Sequence, residues 1–334
     1  MPNLTPVART FVSVEEEFQA ALSGNAVTDN SAFGRIEVGG KDRLDLLHRL
    51  STNALAALAP DDTASTVFVT DKGRVIDRVT VCARRDRLIL ITSPGRELFL
   101  MQWIDKYTIT EDITFRIITD ETVMASLIGA RMISSFLEER ARRPVSEGQK
   151  ENDASGLTGF LLARRGESAP ALADVIAPKG LSGELAAIVG GLPGARWIGE
   201  TAYDGFRIAS GMPASPGELN EWYNPLECGL RGSISFSKGC YIGQEVIARL
   251  DTYGKTRRQL ALVASAEPLS VRLPVPLMRN GVEAGTLTSL TNVPFAGRYP
   301  GLAILRNDAA NPGERLDAGP APSGVFVTGI IPGE

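Results

Sequence analysis

Three β-branched runs stand almost end to end between residues 66 and 92, and they constrain the fold more than any other feature of the chain. Residues 66–70, 74–83 and 87–92 are rich in Val, Ile and Thr, and only Asp71-Lys72-Gly73 and Arg84-Arg85-Asp86 separate them. Turns that short join the runs as an antiparallel meander.

Helical and strand periods alternate around this meander. Residues 13–22 read as a helix with a Ser13/Glu16 capping box, and Val14, Phe18, Ala21 and Leu22 share its apolar face. Residues 35–38 read as a strand. Residues 41–58 read as a helix with Leu47, Leu50 and Ala54 on one side, closed by Pro60. Ser93-Pro94 opens another helix with proline at its first position, and Leu100, Trp103, Ile104 and Tyr107 face the sheet. Strands follow at 114–118 and 123–128, a helix at 131–143 and a polar loop at 144–156. Strands at 159–164 and 173–177, a helix at 182–189 and a Gly/Pro loop at 190–194 complete a second round. The fold class is therefore α+β, with mainly antiparallel sheets. From about residue 258 the helical period disappears, and short apolar runs at 260–263, 301–305 and 324–331 are split by Pro and Gly. That texture predicts a small β-barrel or sandwich. We divide the chain into a core, 1–255, and a C-terminal β domain, 256–334.

Composition narrows the function classes. The 39 acidic and 35 basic residues give a net charge of -4, which argues against direct nucleic-acid binding. The 3 cysteines, Cys82, Cys228 and Cys240, form no CxxC pair, and an odd number excludes a full disulfide framework. The 1 histidine, His48, excludes zinc sites built on several histidines, and we expect no metal site. Residues 1–11 lack the layout of a signal peptide, and no apolar run is long enough to span a bilayer. A cytoplasmic location without membrane partners is the expectation.

One motif carries chemistry. In Lys238-Gly239-Cys240-Tyr241-Ile242-Gly243-Gln244-Glu245, residues 234–236 read as a strand, Ser237 as an N-cap, and Cys240 as the first turn of a helix running to Leu250. Cys240 and Gln244 would share one face, Glu245 and Arg249 a neighbouring one. Helix-terminal amides and the Lys238 ammonium would both favour a thiolate. The plainer reading is a capped helix holding a buried, inert cysteine. Cys82 reads as core, Cys228 as core or as a partner thiol for Cys240, and His48 as a surface or capping residue. Asp77 lies in an otherwise apolar strand, where it needs hydrogen bonds. It either accepts from a ligand or pairs at a strand edge with Arg74 or Arg78.

These residues resemble the signature of the YgfZ-type folate-binding proteins, relatives of the glycine-cleavage T-protein, the aminomethyltransferase (GcvT) superfamily. Ala248-Arg249, Asn224-Pro225-Leu226-Glu227 and Ile234-Ser235-Phe236 extend the resemblance. Asp29-Asn30-Ser31, Gly34-Arg35-Ile36-Glu37-Val38-Gly39-Gly40, Leu50-Ser51-Thr52-Asn53 and Lys72-Gly73-Arg74-Val75-Ile76-Asp77 are similar to the superfamily's N-terminal pattern. The resemblance implies a tetrahydrofolate-binding core of two mainly antiparallel α+β lobes, which need not be continuous in sequence, with the folate between them, and a small C-terminal β-barrel, 256–334. It also implies a role in assembling or repairing iron–sulfur enzymes, tRNA-modifying ones among them. It points to Cys240 as the functional residue within Lys238, Gly239, Tyr241, Gly243, Gln244, Glu245 and Arg249. Asp77 would meet the pterin. Arg207 and the run 253–258 are candidates for the folate carboxylates; the plainer reading is a solvated charge run.

Two departures bear on the reaction. The T-protein has two adjacent acids after its glycine turn, whereas Asp77 is followed by Arg78. Its Arg-Ile-Glu-x-Gly stretch corresponds to Arg207-Ile208-Ala209-Ser210-Gly211, without the acid. Aminomethyl transfer needs a carboxylate near the reacting nitrogen, so both losses count against that activity. A fold that has kept neither function is the third possibility.

Overall fold

The structure is a computed structural model describing residues 12–142, 159–165, 170–319 and 324–331. The readings of 1–11 and of the loop 144–156 lie outside these residues. In chain order, helix α1 (Val14–Leu22) is followed by strands β1 (Ala26–Asp29) and β2 (Gly34–Gly39) and helix α2 (Arg43–Leu50). The meander comprises β3 (Thr63–Val69), β4 (Val75–Ala83) and β5 (Leu88–Thr92). Then come helix α3 (Glu97–Asp105), strands β6 (Thr114–Ile117) and β7 (Thr122–Ile128), and helix α4 (Ala130–Arg142). Strands β8 (Leu161–Arg164) and β9 (Leu172–Pro178) precede helix α5 (Ser182–Gly190), strand β10 (Arg196–Trp197), and helices α6 (Glu200–Ala209) and α7 (Gln244–Thr252). Six strands end the chain: β11 (Arg258–Ser265), β12 (Val275–Arg279), β13 (Val282–Leu290), β14 (Tyr299–Arg306), β15 (Arg315–Ala318) and β16 (Gly324–Ile330).

The α+β class with a terminal barrel is what these elements build. One sheet has the order β3-β4-β5-β2-β6, and a second β10-β1-β7-β9-β8. The last six strands close a barrel in the order β11-β14-β13-β12-β15-β16. Strand β1 pairs in parallel with β10 and antiparallel with β7. Strands β7 and β9 are buried along their whole length because both faces of their sheet are covered. Val123, Ala125 and Leu127 on one face of β7 pack with α4 and α5 through Phe136, Leu185 and Ile188. Met124 on the other face packs with Ile176, Cys82 and Ile89.

The chain separates into two compact units, each discontinuous in sequence. One comprises Met1–Leu47, Leu55–Ser65 and Val79–Tyr203; the other His48–Ala54, Thr66–Arg78 and Asp204–Glu334. In the first, the fully buried Arg35 is satisfied by the carbonyls of Ser31, Phe33, Thr119 and Thr122 and by the Thr122 hydroxyl. In the second, Val67, Val69 and Val75 share a core with Tyr223, Cys228, Tyr241 and Ile247. Among the described residues no helix is long and apolar enough to cross a membrane.

Several expected elements are corrected. The helix expected over 41–58 ends at Leu50, because Ser51 bridges to Phe68 and the Thr52 N–H donates to the Val67 carbonyl. Residues 93–95 form a turn before α3, not its first turn, so Tyr107 falls beyond the helix and is exposed. Residues 234–236 are not a strand: Thr52 takes up the carbonyl of Ser233 and the N–H of Ser235. Helix α6 escaped the sequence reading, although Ala202, Gly205 and Phe206 give it a buried stripe.

Candidate functional site

The motif's glycine is fixed by a close approach of two chain segments. Gly243 precedes α7 at φ +77°, a conformation that disfavours side chains. A Cβ there would lie 2.6 Å from the Thr70 carbonyl oxygen and 3.1 Å from the Gly73 Cα. Gly73, itself at φ +67°, closes the turn between β3 and β4. Its own missing Cβ would touch Val246 and Ile247 of α7 at 3.3 Å. The two glycine motifs singled out in the sequence therefore pack backbone to backbone. Tyr241 completes the contact: it is buried, burial pushes its phenol up to about 12, and it shares a core with Val75 and Ile247.

Lys238 holds the other end of the loop. Its ammonium donates to the carbonyls of His48, Ser51 (2.7 Å) and Asn53 (3.0 Å), and lies 4.9 Å from the Tyr241 ring centroid. These acceptors belong to the last turn of α2 and the residues after it, where unpaired carbonyls attract a cation. Burial pulls the lysine down to about 8. Ile242 adds a backbone bond to the Arg49 carbonyl at 3.3 Å.

Cys240 lies between these two anchors and is exposed, as is Gly239. This corrects the helical placement. The left-handed Gly243 delays the helix until Gln244, so Cys240 precedes the helix N-terminus and shares no helical face with Gln244. Nor is Ser237 its cap, because α7 has no side-chain cap. The Lys238 ammonium is committed to three carbonyls and is not held as a counter-ion for the thiol. Glu245 and Arg249 are exposed on α7, and no ion pair joins them among the described residues. The other cysteines are core residues. Cys82 is fully buried in β4, and Cys228 donates its S–H to the Glu218 carbonyl at 3.2 Å; burial raises both thiols.

Asp77 is fully buried on β4, a strand flanked by β3 and β5 rather than an edge, and its Oδ1 accepts the Arg78 backbone N–H at 3.0 Å. Alternation places it on the same face as Val75, the residue that packs with Tyr241 and Ile247. Arg74, the alternative partner from sequence, turns instead to the Trp222 carbonyl and to Glu227 at 3.7 Å. Arg207 is engaged on every nitrogen: Nε donates to Asp204 at 2.6 Å, Nη1 to the Met212 carbonyl, and Nη2 to Ser289. Its neighbour Glu218, 3.7 Å away, is fully buried and gave no signal in the sequence. In the run 253–258, Arg258 donates to Glu227 at 2.9 Å and Lys255 lies over the Tyr253 ring.

Residues 2–139 match the model of the GCVT N-terminal domain. Over 331 residues the chain is 31% identical to an Arabidopsis thaliana protein named as a chloroplastic transferase, covering 96% of this chain and 74% of that one. The chain belongs to the GcvT superfamily. An aminomethyltransferase of Shouchella clausii is 24% identical over 310 residues, 90% of this chain and 84% of that protein. The fold matches glycine cleavage system aminomethyltransferase T from Bartonella henselae with a TM-score of 0.77 at 15% identity, over 95% of this chain and 88% of the other. This superfamily member thus has an aminomethyltransferase-like fold and an exposed cysteine on a doubly anchored loop.

Proposed function

We propose that this protein is a YgfZ-type tetrahydrofolate-binding accessory factor that uses Cys240 in assembling or repairing iron–sulfur enzymes. The observation that carries the reading is the exposure of Cys240 between two anchors while both other thiols are buried. A thiol presented in that way meets a client protein without any rearrangement of the core. Lys238 and Gly243 hold the loop that carries it. Tetrahydrofolate fits the chemistry of Asp77, since a buried carboxylate suits the N–H groups of a reduced pterin. Arg207 fits a folate carboxylate only after leaving Asp204 and Ser289.

The test is titration with tetrahydrofolate, followed by tryptophan fluorescence. Saturable binding that weakens at least tenfold in Asp77→Asn supports the reading; absence of binding overturns its folate half. The resemblance to aminomethyltransferases keeps a second reading in play, folate-dependent transfer from an aminomethyl-lipoyl carrier. Asp77 remains for it, but the second acid is replaced by Arg78 and the later one by Ala209. Turnover by the purified protein with that carrier would establish this alternative.

A further inference from the structure

A hollow of about 330 Å³ opens between the end of β4, helix α4 and strand β8. It lies at the lower end of the volume range of small-molecule sites, roughly 300–1,000 Å³. Three arginines line it, Arg84, Arg140 and Arg164, with a single acid, Asp61. Asp61 is already paired with Arg84. Among the described residues neither Arg140 nor Arg164 has an ion-pair partner. Elsewhere among the described residues arginines are held in ion pairs, as Arg87 is with Glu37, Arg165 with Asp174 and Arg279 with Asp308. Two uncompensated guanidinium groups in one concavity, on a chain of net charge -4, raise a local positive potential that the walls focus. Leu137, Leu161 and Leu162 supply an apolar wall.

We propose that this hollow binds a phosphate monoester carrying a small apolar stem. Two guanidiniums unpaired among the described residues match the two negative charges of a phosphate monoester and suit its oxygens through forked N–H donors. The leucines take the stem. Asp61 favours the site by neutralising Arg84, which leaves a charge of two rather than three to be balanced by the ligand.

Phenyl phosphate is the probe, measured by calorimetry at pH 7.5 and low salt. One equivalent binds the wild-type chain, more tightly than inorganic phosphate, and phenol does not bind. The paired substitution Arg140→Gln and Arg164→Gln weakens phenyl phosphate at least tenfold, while the exposed Arg85→Gln leaves it unchanged. Affinity falls below about pH 6, where the phosphate takes up its second proton. Methyl NMR shifts on the unmodified protein give a second readout that does not depend on a variant folding. They concentrate on Leu137, Leu161 and Leu162. No saturable binding, equal binding by the paired variant, or shifts centred elsewhere would each overturn the proposal.

Discussion

Cys240 is exposed, whereas Cys82 and Cys228 sit in the core with thiols raised by burial. A thiol-reactive disulfide reagent should therefore label one cysteine quickly in the native chain and all 3 after denaturation. Rapid labelling of a second native thiol would contradict the placement. Lys238 should titrate near pH 8 in an NMR experiment on its side-chain nitrogen, well below the ordinary lysine value. The unfolded chain keeps that proton up to the ordinary lysine value, about 10.4. Between the two values it binds more protons than the folded chain, so this residue's contribution to stability rises with pH across that window. Lys238→Met should remove the rise, and an unchanged pH profile would count against it. Gly243→Ala should cost about 2 kcal/mol or more in urea unfolding, from left-handed strain and the clash with Thr70. Gly239→Ala, with nothing within 4 Å of its added methyl, should stay within about 0.5 kcal/mol of wild type. The motif was legible as a string of residues. The work of Lys238 was not, because its acceptors are backbone carbonyls far away in sequence.

At the scale of elements, periodicity located most strands and helices but misjudged where tertiary hydrogen bonds interrupt them. Helix α2 stops early because Thr52 ties two other segments at once. Its hydroxyl donates to the Ser233 carbonyl at 2.7 Å and accepts the Val67 N–H at 3.0 Å, while its own N–H joins β3. Local propensity carries no trace of such partners. Thr52→Val keeps the shape and leaves those buried backbone groups unmet, which should cost about 1–3 kcal/mol. Chemical denaturation measures it, and a neutral effect would show that the junction does not depend on the hydroxyl. The same junction explains why 234–236, β-like in composition, runs as a loop. The start of α7 was misplaced for a related reason. A glycine inside a helical pattern reads as tolerable in sequence, yet Gly243 is left-handed and packs on Gly73, which sets the helix start and the exposure of Cys240.

Across the whole molecule, the β-branched runs and the loss of helical period after residue 258 were enough to foresee antiparallel sheets and a terminal barrel or sandwich; the resemblance chose the barrel. The discontinuity of the two compact units was not readable in detail, since it depends on which residues meet across long separations. The superfamily follows from the match to the transferase of Arabidopsis thaliana and from the GCVT N-terminal domain. This member carries an accessible sulfur on a loop fixed by Lys238 and Gly243. The most direct measurement is complementation by Cys240→Ala in cells that lack the protein, read through the activity of an iron–sulfur enzyme. Our account predicts a variant that unfolds at the wild-type midpoint and supports none of that activity. Full activity from the folded variant would contradict it.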